Sequence, residues 1–183
     1  MKKSVLFILI AGLAYINGAA QLYFTKNGKI SFFSSTPMED IKADNNQVIS
    51  IINTSTGEMQ FSLLNIAFHF KKALMEEHFN DDYIESAKYP RSTFKGTITN
   101  AGSVNFTADG VYKVTVSGSL SIHGVTKIVS VPGTITIQSG NISATAVFKV
   151  KVKDYNIRIQ SGVKNNIAED IELTVSCKYE KKN

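Results

Sequence analysis

Strict alternation of apolar and polar side chains runs through most of this chain. From Tyr112 to Ile122, residues Tyr112, Val114, Val116, Leu120 and Ile122 share one phase, with Gly118 among them. Lys113, Thr115, Ser117, Ser119 and Ser121 occupy the other. Ala144, Ala146, Phe148, Val150 and Val152 alternate in the same way with Thr145, Val147, Lys149, Lys151 and Lys153. Near the C-terminus, Ile171, Leu173, Val175, Cys177 and Tyr179 alternate with Glu172, Thr174, Ser176, Lys178 and Glu180. A strand sends successive side chains to opposite faces, so each segment reads as a strand with one buried face and one wet face. Asp109-Gly110 and Ser139-Gly140-Asn141 mark reversals, and Asn27-Gly28 predicts a two-residue hairpin between Tyr23–Lys26 and Lys29–Phe32. The result is an all-β chain of about eight antiparallel strands, spaced for an up-and-down barrel or a sandwich.

Two stretches depart from this rule. Between Lys71 and Lys88 the apolar residues Leu74, Met75, Phe79 and Tyr83, with His78, recur at intervals of three and four, which predicts a short helical insert. Asp81 is placed to cap a second short helix running to Ser86. Pro90 ends the insert, and Thr93–Ile98 resumes as a strand. From Met59 to Phe70 both phases are apolar: Phe61, Leu63 and Ala67 on one, Leu64, Ile66, Phe68 and Phe70 on the other. Either the helix covers the outer face of this strand, or the inside of a barrel is apolar and larger than its own side chains fill. Eight strands enclose a lumen that is packed solid or holds one small ligand, and pattern alone leaves both open.

Composition narrows the class. Of 183 residues, 43% are hydrophobic and 19% charged, which fits a packed domain and excludes disorder. Lys2 and Lys3 followed by the apolar run Val5–Leu13 and the small residues Asn17-Gly18-Ala19-Ala20 have the layout of a secretory signal peptide. Cleavage is expected between Ala20 and Gln21, which leaves residues 21–183 as a single domain in the periplasm or outside the cell. The run is short of the roughly 20 residues that span a bilayer, and no stable membrane span is expected. The net charge of +5 falls to +3 once Lys2 and Lys3 are removed, too mild to indicate nucleic-acid binding. One cysteine, Cys177, excludes an internal disulfide, and its apolar phase predicts a buried thiol.

Catalytic and metal chemistry finds little support. The three histidines, His69, His78 and His123, show no zinc-ligand spacing. No Gly-x-Ser-x-Gly elbow and no glycine-rich phosphate loop occur. Glu76-Glu77 and Asp81-Asp82 are adjacent in sequence, so on a helix they diverge, as on a solvated face. Lys149, Lys151 and Lys153 read as the wet face of a strand. No enzyme activity, cofactor or metal is therefore expected.

The helical insert and its neighbours carry a family resemblance. Phe68-His69-Phe70-Lys71-Lys72-Ala73-Leu74-Met75-Glu76-Glu77-His78-Phe79-Asn80, continuing through Tyr83 to Tyr89-Pro90 and Phe94-Lys95-Gly96, resembles the signature of the YceI-like family of exported bacterial proteins. Gly118-Ser119-Leu120-Ser121-Ile122-His123-Gly124-Val125-Thr126-Lys127 and Phe148 through Asp154-Tyr155 and Ile157 resemble two further segments of that family, in the same order. The resemblance implies an extended, lipocalin-like antiparallel barrel whose mouth is bordered by the insert. Some members of the family bind long polyisoprenoid or other amphiphilic chains in an apolar lumen.

On that reading the partner is a polyisoprenoid, quinone-like or fatty-acyl small molecule, held by a monomer or homodimer. Burial of several hundred Å² of tail would contribute roughly 10 kcal/mol before ordering costs, at about 25 cal/mol per Å². The expected lining is Phe61, Leu63, Phe68, Phe70, Met75 and Phe79, together with Tyr83, Phe94, Leu120, Ile122, Phe148 and Leu173. His78, Asn80, Arg91 and His123 are the polar candidates for a head group, although His123, on the phase opposite Leu120 and Ile122, is better suited to fixing a turn. Two other classes stay open: a non-enzymatic envelope or adhesion domain with a solid core, and a lipid- or sugar-modifying enzyme.

Overall fold

The structure, a computed structural model, describes residues 21–182. Eight long strands follow one another as an antiparallel meander: β1 (Leu22–Ser35), β2 (Asp40–Asn53), β3 (Glu58–Leu64), β5 (Arg91–Ile98), β6 (Gly110–Ile122), β7 (Val125–Gln138), β8 (Asn141–Lys151) and β9 (Asp170–Lys181). Each pairs with its neighbours in sequence, and β1 pairs with both β2 and β9, which closes the sheet into a barrel. A two-residue strand, β4 (His69–Phe70), extends the edge of β2 beyond the end of β3. The expected up-and-down barrel is therefore the observed architecture. Two of its hairpins turn on two residues with positive φ, His123-Gly124 (50° and 73°) and Ser139-Gly140 (50° and 76°), as the right-handed strand twist requires.

The expected hairpin at Asn27-Gly28 is not one. β1 runs unbroken through it, and the register against both neighbours slips there, so Asn27-Gly28 is a bulge within a 14-residue strand. Glycine is demanded by close approach. A Cβ on Gly28 would lie 2.7 Å from Cys177 Sγ and 3.0 Å from the Val48 carbonyl oxygen.

The doubly apolar run from Met59 to Phe70 is likewise not a single strand. β3 stops at Leu64, and Asn65–Ala67 form a 3-10 turn before β4. The turn resets the alternation, so Phe68 and Phe70 face inward along with Phe61 and Leu63, while Ile66 is 63% exposed. Buried Asn65 holds the turn: its Nδ2–H donates to the Tyr89 carbonyl at 2.6 Å, and Ser92 Oγ–H donates to its Oδ1 at 2.8 Å. The helical insert is shorter than expected. α1 (Ala73–His78) passes directly into one π turn, Phe79–Tyr83, so Asp81 lies inside a continuous helical segment and caps no second helix. Glu76 is not merely solvated, since its Oε2 accepts the Phe70 N–H at 3.0 Å and ties the insert to β4.

Side chains pack the two ends of the barrel differently. The end that carries the β2–β3, β5–β6 and β7–β8 connections is filled by Ile52, Ile98, Ile137, Ile142, Cys177 and Tyr179, each at most 4% exposed. Within this plug Ser50 Oγ and Tyr179 Oη share a buried 2.8 Å hydrogen bond. Burial raises the Tyr179 hydroxyl far above its ordinary range and pushes the Cys177 thiol up to about 11, so both stay protonated. The other end carries the insert and the long β8–β9 connection, and there the barrel is hollow.

Candidate functional site

A cavity of about 450 Å³ occupies the open half of the barrel. Alternation places its walls. Phe61 and Leu63 come from β3, Phe94 from β5, Leu120 and Ile122 from β6, Phe148 from β8 and Leu173 from β9. Phe68 and Phe70 enter after the 3-10 turn, and Met75, Phe79 and Tyr83 come down from the insert. All twelve residues expected to line a pocket thus border this one cavity.

The insert is held over the mouth by four phenylalanine rings. Phe79 lies 5.5 Å from Phe32, 5.6 Å from Phe68 and 5.2 Å from Phe70, centroid to centroid. Phe32 in turn contacts Phe68 and Phe70 at 5.5 and 5.4 Å. Tilted and edge-on pairs of this kind contribute about 0.5–1.5 kcal/mol each beyond their buried area. Ile84 is buried behind them. Burial raises the Tyr83 hydroxyl above its ordinary range, with Asp82 adding to the effect.

Several wall residues were not foreseen. Ile30 and Phe32 on β1 were missed because the supposed hairpin broke the phase of that strand. Met59, Val114, Ile135, Ala144 and Val175 form the boundary between cavity and plug. Ile157, Ile159, Val163 and Ile167 reach the cavity from the β8–β9 connection, where no periodicity announces them.

Polar groups gather at the mouth. Among the four head-group candidates, His78 faces the cavity, and its Nδ1–H donates to Asp82 Oδ2 at 2.8 Å. Asn80 is spent inside the insert, where its Nδ2–H donates to the Glu76 carbonyl and its Oδ1 accepts from Ser86 Oγ–H. Arg91 is exposed and is not itself part of the lining, but it donates to Ser62 Oγ, which does line the cavity, at 3.3 Å. His123 occupies its hairpin turn, as its phase suggested. One ring nitrogen meets the Tyr155 carbonyl at 3.0 Å and the other meets Glu85 Oε2 at 2.6 Å, which joins β6–β7 to the insert and to the β8–β9 connection. The Glu39 carboxylate, which lines the mouth, accepts from Lys72 Nζ at 3.0 Å and from Asn166 Nδ2 at 3.2 Å. Those hydrogen bonds hold its carboxyl below the ordinary carboxylate range.

The lining includes two carboxylates, Glu39 and Asp82, and neither lysine nor arginine. Each histidine is engaged by separate partners: His69 pairs with Glu76 at 3.6 Å, His78 with Asp82, and His123 with Glu85. Among the described residues, no group of three or more His, Cys, Asp or Glu is placed to hold a metal ion, and no helix is long and apolar enough to cross a membrane. Lysines 149 and 151 on β8 stand opposite Glu172 and Asp170 on β9, a mixed-charge outer wall. The expected leader, residues 1–20, lies outside the described residues.

Comparison with known proteins bears on this arrangement. The family model described as YceI-like domain matches residues 17–179. Protein YceI of Escherichia coli O157:H7 is 24% identical over 197 aligned positions, which cover 96% of each chain. A polyisoprenoid binding domain from Saccharophagus degradans, implicated in plant cell wall breakdown, superposes with a TM-score of 0.76 at 17% identity, over 89% of this chain and 99% of that one. BcnA of Burkholderia cenocepacia superposes with a TM-score of 0.70 at 18% identity, over 84% of this chain and 96% of that one. At these identities the two structures share the fold with this chain.

Proposed function

The chain belongs to the YceI-like family, and from that premise we propose that it is an exported, non-enzymatic protein that sequesters or carries an amphiphilic long-chain molecule in its barrel. The observation that carries this reading is the hollow: an apolar cavity of about 450 Å³ inside a sheet whose opposite half is packed solid. The volume falls in the range of about 300–1,000 Å³ that small-molecule sites occupy. A neighbour of the same fold is described as a polyisoprenoid binding domain, which supports a hydrocarbon-like tail here. Apolar walls shared among all eight barrel strands and the insert supply affinity by burial, and their phenylalanines and methionines allow loose selection of tail shape. The mouth favours an uncharged head group, such as an alcohol, amide or quinone-like carbonyl. Lys72 and His78 are already engaged by Glu39 and Asp82, and no lysine or arginine stands among the lining residues to meet a phosphate or carboxylate.

Organic extraction of the purified protein followed by mass spectrometry should release a long-chain amphiphile. Leu120→Arg and Phe148→Arg, each placing a charge on the wall, should lower the recovered lipid at least tenfold while the β-sheet circular dichroism is kept. Full lipid recovery from folded Arg variants would remove the lumen as the site. The envelope-interaction reading needs a solid core, and the hollow half weighs against it.

A further inference from the structure

The depth of the cavity is set from one end only. Towards the mouth it meets a helical insert and loop residues, which can shift around a ligand. Towards the opposite end it stops against Met59 and Ile135, which lie at the boundary with the solid half. Behind them Ile52 and Ile142 are buried on all sides, and the Ser50–Tyr179 hydrogen bond spans the plug from β2 to β9. Opening that plug would leave two buried polar groups without partners, so its position is fixed as the mouth is not. An apolar cavity with a rigid floor and an open top measures length.

The volume sets the scale of that measure. An apolar cavity of about 150 Å³ accepts one benzene ring. A cavity of about 450 Å³ on the same footing holds about 18 carbons, or between three and four isoprene units.

Resting on the carrier reading above, we propose that Met59 and Ile135 form a chain-length ruler, so that the affinity for single-tailed amphiphiles rises with tail length up to about 18 carbons and gains nothing from longer tails. A tail beyond that length must leave methylenes in water at the mouth, where they contribute nothing. Each methylene that is buried raises affinity about fourfold. Truncating either floor residue to alanine removes three heavy atoms and lengthens the slot. Ala144→Leu, at a position paired with Ile135 in the sheet, shortens it.

The test is displacement of the neutral fluorophore N-phenyl-1-naphthylamine from delipidated full-length mature protein by a series of primary fatty amides and alcohols of graded length. Affinity in the unaltered protein should climb about fourfold per methylene and level off near 18 carbons. In Met59→Ala and Ile135→Ala the plateau should move about three carbons longer, and in Ala144→Leu about three carbons shorter. Because Ala144→Leu adds volume where the alanine variants remove it, opposite shifts cannot come from general loosening. A plateau at the same length in all folded variants, or affinity still climbing several carbons beyond the predicted limit, overturns the ruler and leaves the carrier reading standing. Displacement by no chain of any length overturns both.

Discussion

Glu85 and His123 show how much of the mouth rests on single side chains. His123 is 8% exposed, and both ring nitrogens face acceptors, the Tyr155 carbonyl and the Glu85 carboxylate. The hydrogen bond from His123 holds the Glu85 carboxyl below its ordinary value of 4.5 against the opposing effect of desolvation, with Lys88 adding to it. A carboxyl whose folded value is depressed stabilises the fold above its unfolded value and loses that contribution as pH falls through the folded one. The melting temperature of Glu85→Gln should therefore lie below that of the unaltered protein by a constant margin from about pH 6 down to about pH 5, with the margin closing at more acid pH. A margin that widens on acidification would rule out the depressed carboxyl as its source. Cys177 gives the opposite sign. With its thiol pushed up to about 11 by burial, almost no thiolate exists in the folded protein near neutral pH. Iodoacetamide at about pH 8 should leave it unmodified over hours and label it promptly in denaturant, as intact mass will show.

Between β5 and β6 two glycines allow the strands a close approach. Gly96 and Gly118 face each other in register, and a Cβ on Gly118 would collide with the Lys95 carbonyl oxygen and the Gly96 Cα. Nothing there is a flexible side-chain tip that could move aside. Gly118→Ala should destabilise the barrel by about 1–3 kcal/mol, the range for overpacking a filled site, and lower the melting temperature by several degrees. An unchanged melting temperature would mean the two strands separate freely. The same two strands show why part of this fold is readable without coordinates. On β6, β8 and β9 polar and apolar residues alternate along most of the strand, so alternation alone assigns Leu120, Phe148 and Leu173 to the inside. On β1 the bulge at Asn27-Gly28 shifts the register midway, and Asn-Gly, the strongest hairpin signal, is used to bend a strand instead. Between Leu64 and Phe68 a 3-10 turn held by Asn65 moves the inward phase, so the residues of both apolar phases, Phe61 and Leu63 before the turn and Phe68 and Phe70 after it, line the hollow interior that was one of the two alternatives the pattern left open. Ile157, Ile159, Val163 and Ile167 follow no secondary-structure period at all, because what orders them is the cavity they cover.

A barrel that is solid in one half and hollow in the other has unequal stability along its axis. The plug carries fully buried isoleucines and a satisfied polar pair, whereas the open half forgoes packing contacts in proportion to its empty volume. Amides that open most readily should therefore lie in the insert, residues 71–88, and in the β8–β9 connection, residues 152–169, which have few buried side chains of their own. A ligand that fills the hollow restores contacts there and adds none in the plug. At a ligand concentration of about 100 times Kd the folded state gains about 2.7 kcal/mol, which raises the melting temperature of a chain this size by roughly 5–10 °C. Hydrogen exchange should show where that gain arises: amides in the insert and the β8–β9 connection should slow most on loading, and those of the plug strands should slow only as far as they exchange through global unfolding. Protection that appears first around Ile52, Ile142 and Tyr179, with the mouth unchanged, would place the ligand elsewhere than in the hollow half.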